Sequence, residues 1–133
     1  MKRVLFPATL LPALATWGMS EPASLPSELR SVPVVVVDSE GTTHELLGLR
    51  CEGRGELELR KGNVDYKLSL LSVRRIEVIG EDGEKIRLKV TMKGGKSGEF
   101  FVERSLKCSA ESDIGEVSFY LGDVCTVEIG DEK

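Results

Sequence analysis

Tyr66-Lys-Leu-Ser-Leu-Leu-Ser-Val-Arg-Arg-Ile-Glu-Val-Ile-Gly80 returns, in pattern, as Val117-Ser-Phe-Tyr-Leu-Gly-Asp-Val-Cys-Thr-Val-Glu-Ile-Gly130. Leu68, Leu70, Val73, Ile76 and Val78 fall over Phe119, Leu121, Val124, Val127 and Ile129 at a constant offset of 51. A repeat of about fifty residues marks one small supersecondary unit used twice. Within each copy the apolar residues alternate, break for one tight turn, and resume. That is a strand, a turn and a strand.

Reading outward, the same texture continues. Val34 to Val37 is a β-branched run, as expected of a strand buried on both faces. Asp38 to Gly41 is a turn, and His44 to Arg50 returns as a second strand. Glu56 to Arg60 alternates strictly with Leu57 and Leu59 inward, and Lys61-Gly62-Asn63 is a hairpin turn into the strand of Tyr66, Leu68 and Leu70. The second half repeats the order. Ile86, Leu88 and Val90 alternate with charged residues, Lys93 to Gly98 forms a glycine-rich hairpin loop, and Phe100 to Glu103 returns. Leu106 to Ala110 and Val117 to Leu121 follow. After Pro33 no proline interrupts the strands.

Each half thus reads as four strands, a one-turn break and a fifth strand. Carried by Leu68 to Val78 and Phe119 to Ile129, that order resembles the SH3-like and Sm-like small barrels. The resemblance implies an all-β fold of two tandem five-stranded SH3-like barrels packed together, residues 32–80 and 81–130. It implies no catalytic residues. The alternative is a single β-sandwich of about ten strands. Gly115-Glu-Val-Ser-Phe-Tyr-Leu121 and its continuation to Glu128 are also similar to repeats in uncharacterised exported bacterial proteins.

The chain has 133 residues, 41% hydrophobic and 30% charged, the balance of a globular protein. Lys2 and Arg3 precede an apolar stretch, Val4 to Leu14, that is too short to span a bilayer and holds Pro7 and Pro12. Ala13-Leu14-Ala15 fits a small-x-small cleavage site. Residues 1–15 are therefore expected to be a signal peptide, with cleavage as late as residue 20, and residues 16–31 a linker. Residues 131–133 form a tail. The expected address is exported, periplasmic or extracellular. The formal charge of −4 becomes −6 without Lys2 and Arg3, which excludes a phosphate-tracking role on nucleic acid.

Three cysteines remain: Cys51, Cys108 and Cys125. An odd count leaves at least one thiol without an intramolecular partner, and three pairings are open. The one histidine, His44, has no ligand or triad spacing around it and reads as a polar residue at a strand start. Lys93 to Gly98 lacks phosphate-loop spacing and has no helix after it. The acidic turns at Asp38 to Glu40, Glu81 to Glu84 and Glu111 to Asp113 lack the spacing of a calcium loop.

No catalytic, cofactor or metal site is therefore expected. What remains is binding. Alternation turns Phe119 inward and Tyr120 outward, and puts Phe100 and Phe101 on opposite faces, so the expected interaction surface contains Phe101 and Tyr120. The sequence points to a non-catalytic β-protein engaging an envelope protein or a second copy of itself. A peptidoglycan or small-ligand module is the alternative, and a hydrolase a third reading.

Overall fold

Strict alternation of apolar and polar residues gives each strand one dry face, and the structure uses it throughout. The computed structural model describes residues 30–131. The expected signal peptide and nearly all of the linker lie outside them. The fold is all-β: β1 (Pro33–Asp38), β2 (Thr43–Cys51), β3 (Glu56–Lys61), β4 (Val64–Ser69), β5 (Val73–Asp82), β6 (Lys85–Met92), β7 (Ser97–Glu103), β8 (Lys107–Ser112), β9 (Gly115–Tyr120) and β10 (Val124–Ile129). The two expected tight turns are 3₁₀ turns, Leu70–Ser72 and Leu121–Asp123. In each, a buried leucine plugs the core while its amide donates to an equivalent carbonyl: Leu70 to Gly55 and Leu121 to Leu106, both at 2.9 Å.

All ten strands join one antiparallel sheet, in the order β4-β3-β7-β6-β5-β10-β1-β2-β8-β9. The halves do not pair each within itself. The β3–β4 hairpin of the first half attaches to β7 of the second, and the β8–β9 hairpin of the second attaches to β2 of the first. Strand pairing therefore runs across the expected boundary between Gly80 and Glu81. Read from its two ends, the strand order is the same list displaced by five strands, so the two halves are related by an approximate two-fold axis. That axis passes through the β5–β10 pair, where Ile76 lies opposite Val127. These two residues are each other's repeat equivalents.

The register extends the equivalence to the other strands. Val36 faces Val127 as Val90 faces Ile76, so β1 and β6 correspond at an offset of 54. Val36 in turn faces His44 as Val90 faces Gly98, which carries the same offset into β2 and β7. The added three residues sit between the first-half hairpins. The glycines at the two turn tips match: Gly41 and Gly95 both have positive φ, +86° and +100°.

One apolar core runs under the whole sheet, and no buried side chain among the described residues is polar or charged. Val34 and Val36 are buried, while Val35 and Val37 are only half-buried, so β1 is less enclosed than its continuous valine run predicts. Gly48 interrupts β2 with φ +72°, and a Cβ there would stand 3.1 Å from the Arg30 carbonyl oxygen. Its register shift against β8 lets Cys51 come opposite Cys108.

Cys51 and Cys108 form a disulfide, and Cys125 is free and exposed. The bond ties β2 of the first half to β8 of the second, across the strand exchange. It closes a loop of 57 residues, for which the chain-entropy account gives about 4 kcal/mol of stabilisation. Replacing both Cys51 and Cys108 by Ala should lower unfolding free energy by up to that amount in denaturant titration. Cys125→Ser should change it by less than about 0.5 kcal/mol. Equal losses for the two variants would contradict the pairing.

Candidate functional site

The two-fold relation makes each end of the sheet a control for the other. At the first end, Tyr66 of β4 packs edge-on against Phe100 of β7, with ring centroids 5.1 Å apart. The Lys61 ammonium lies 5.9 Å from the Phe100 ring centre. Gly98 leaves the room this needs, because a Cβ there would meet the Phe100 ring at 3.2 Å.

At the other end every one of these positions holds something else. Leu46 stands for Phe100, Val117 for Tyr66 and His44 for Gly98. Two large rings are replaced by two smaller aliphatic side chains, and the place filled at one end is open at the other. The result is a cleft of about 650 Å³ between β9 and the β1–β2 hairpin, lined by Leu46, Val117 and His44 among others. That volume falls in the usual range for ligand sites.

The cleft follows a strand edge. Four successive residues of β9, Val117, Ser118, Phe119 and Tyr120, all line it. Successive residues point to opposite faces of a sheet. A hollow touched by all four runs along Val117–Tyr120. The backbone edge of β9 beside it is free, because β9 is the last strand of the sheet and pairs only with β8.

The rim is polar. Asp38 ends β1 and organises the turn after it: one carboxylate oxygen, Oδ1, accepts from the Glu40 and Thr42 amides at 2.9 and 3.0 Å. The other, Oδ2, accepts from His44 Nε2 at 3.1 Å. The His44 hydrogen bond, then the Thr42 amide, hold the Asp38 carboxyl below its ordinary value of 3.8, against a smaller opposing effect of desolvation. The Ser39 amide donates to the Asp123 carbonyl at 2.9 Å, which draws the β1–β2 turn against the second 3₁₀ turn. Asp123, Glu40 and Lys107 complete the charged rim.

The two residues of the expected interaction surface fall apart. Phe101 is half-buried on β7, opposite Arg60, and lines a smaller cleft of about 380 Å³ with Tyr66. Tyr120 is 47% exposed at the end of β9 and lines the larger one. No cleft among those described contains both. The inward–outward assignments of Phe119 and Tyr120, and of Phe100 and Phe101, hold. Asp38, His44 and Asp123 were not singled out as a group from sequence. The signal that finds Asp38 and His44 is the comparison of the first two strands of each half, which needs the offset of 54, whereas Asp123 stands over Ser72 at the offset of 51.

Among the described residues no group of three His, Cys, Asp or Glu is placed to hold a metal ion, and no helix is long and apolar enough to cross a membrane.

A family model described as "Uncharacterised protein" matches residues 28–132, and the chain belongs to that family. A protein of Aquifex aeolicus (strain VF5), described as an uncharacterized protein, is 37% identical over 111 residues, covering 84% of this chain and 84% of its own. No solved structure matches.

The Asp38 geometry has a measurable consequence. A carboxyl lowered in the folded state stabilises the fold above its unfolded value, about 3.9, and that contribution is lost as pH falls through the lowered value. In an NMR titration Asp38 should show a midpoint below 3.8. His44→Ala should move it part of the way back, since the Thr42 and Glu40 amides remain. A midpoint unchanged by His44→Ala would contradict the contact.

Proposed function

We propose that this is an exported, non-catalytic β-protein of the cell envelope that holds an extended segment of a partner protein along the open edge of β9. The observation that carries the reading is the cleft lined by four successive β9 residues. An unpaired strand edge presents amides and carbonyls in the register of a further strand, and an adjoining hollow takes the added strand's side chains. The export part of the reading rests on Lys2, Arg3, the apolar run to Leu14 and the Ala13-Leu14-Ala15 site. The non-catalytic part rests on a single histidine and the lack of any nucleophile–base spacing in the sequence. The two ends of the sheet are read as two SH3-like units that share strands, one filled and supporting, the other open and binding.

A small-ligand reading stands beside this one because the cleft volume would also suit a compact molecule. The strand edge favours the peptide, since a compact ligand needs no run of free backbone groups.

The test fills the cleft with the side chains of the other end. Leu46→Phe with Val117→Tyr and His44→Gly, the last giving the new ring the room that Gly98 gives Phe100, should keep the far-ultraviolet spectrum. It should also abolish binding of ten-residue peptides selected on the unmodified protein from a displayed random library. Peptides retained by the filled variant with undiminished affinity would sink the proposal. So would binding lost only on substitution at the β4 edge.

A further inference from the structure

We propose that the segment held along β9 is basic, with a lysine or arginine whose cation sits at the mouth of the cleft between Asp38, Glu40 and Asp123. The inference rests on the edge-docking reading above and names its partner's chemistry.

The charge is placed at one end of the sheet only. The positions equivalent to Asp38, Glu40 and Asp123 in the other half are Met92, Gly94 and Ser72. An approximate two-fold frame therefore carries three carboxylates around one cleft and none at the matching positions of the other end. The turn geometry alone does not demand them, because Met92, Lys93, Gly94 and Gly95 make the equivalent turn without an acid. The acids come from two separate loops, and the Ser39–Asp123 backbone hydrogen bond of 2.9 Å brings those loops to one mouth.

The carboxylate of Asp38 is fixed by three hydrogen bonds and stays ionised at neutral pH. Lys107 is the one Lys or Arg side chain in the lining, so carboxylates outnumber cations there. Beneath the rim the lining turns apolar, with Val36, Leu46, Val117 and Val124. A long aliphatic stem ending in a cation matches that order, the stem on the apolar floor and the head among the carboxylates. The exposed Tyr120 ring adds a face on which a cation can rest.

A second one-sided feature lies at the far end of the same edge. Ile114, at the tip of the β8–β9 hairpin, is 93% exposed, where its equivalent is Asn63. From Ile114 to the acidic mouth runs the whole of β9, six residues or about 20 Å of strand. A free amine would fill the mouth and leave this length unused. An extended basic segment uses the mouth, the backbone edge and the apolar tip together.

The test uses two fluorescein-labelled ten-residue peptides with one alternating apolar pattern. One carries lysine at its polar positions and the other glutamate. Fluorescence anisotropy is read against the oxidised full chain at fixed low salt. The lysine peptide should bind at least tenfold more tightly. Asp38→Asn with Asp123→Asn should remove most of that preference without changing the circular dichroism spectrum, since the carboxamide that replaces the Asp38 carboxylate retains an oxygen for the turn amides. Glu58→Gln with Asp65→Asn, at the β4 end, should leave it intact. Equal binding of the two peptides would overturn the basic-segment inference while leaving edge docking in place. A preference weakened equally by both double substitutions would overturn it too, by reducing it to general attraction to an acidic protein. No binding of either peptide would bring down the edge reading and this inference together.

Discussion

The pairing of β5 with β10 is the constraint on which the rest of the structure depends. A five-stranded unit of this size must curl to bury one face, and it can remove its free edges only if its last strand also pairs with the strand before the tight turn. Here that side of each last strand is taken. β10 pairs with β1 on one side and β5 on the other, and β5 pairs with β6 and β10. The strands before the tight turns, β4 and β9, are left as the two ends of one sheet. Joining the halves through Ile76 and Val127 thus gives a single continuous core, and the same act leaves two unpaired edges. Exposed edges are a hazard that proteins manage locally, and the two ends are managed differently. At one end Tyr66 and Phe100 fill the space between the two hairpins, and at the other the matching space is left as a cleft.

The strand exchange follows the same logic. Each half alone is near the lower limit of size for a stable domain. By passing its hairpin to the other half, each makes the other's core part of its own. The thinner of the two exchanges, β3 on β7, carries the aromatic pair close by. The other, β2 on β8, carries the Cys51–Cys108 bond. The chain has reinforced both seams, one by packing and one covalently.

Much of this was legible in the sequence, for identifiable reasons. The offset of 51, the buried leucines of the tight turns and the alternation of Leu57 with Leu59 report local geometry, which sequence encodes residue by residue. Which strand lies beside which is not local. The alternation of β2 is the same whether it pairs with β3 or β8, so the exchange left no periodic trace. Its one trace was the cysteine pair, and three cysteines allow three pairings. The cleft escaped for a related reason. It exists because Leu46 and Val117 are smaller than Phe100 and Tyr66, and that contrast appears only once β1 and β2 are laid over β6 and β7 with a three-residue shift. Phe101 and Tyr120 were chosen by facing alone, and facing does not say which end of a ten-stranded sheet a residue occupies.

Amide hydrogen exchange, followed by NMR residue by residue, tests the central claim most directly. With β5 and β10 paired to each other, every amide in Arg75–Glu77 and Thr126–Glu128 is enclosed between two strands and should exchange slowly. Along β9 slow and fast amides should alternate, because alternate N–H groups point to β8 and to solvent. Uniform protection along β4 and β9 would mean that each last strand pairs instead with the strand before its tight turn, so that each half closes on itself. The open edge, and the binding built on it, would then be wrong.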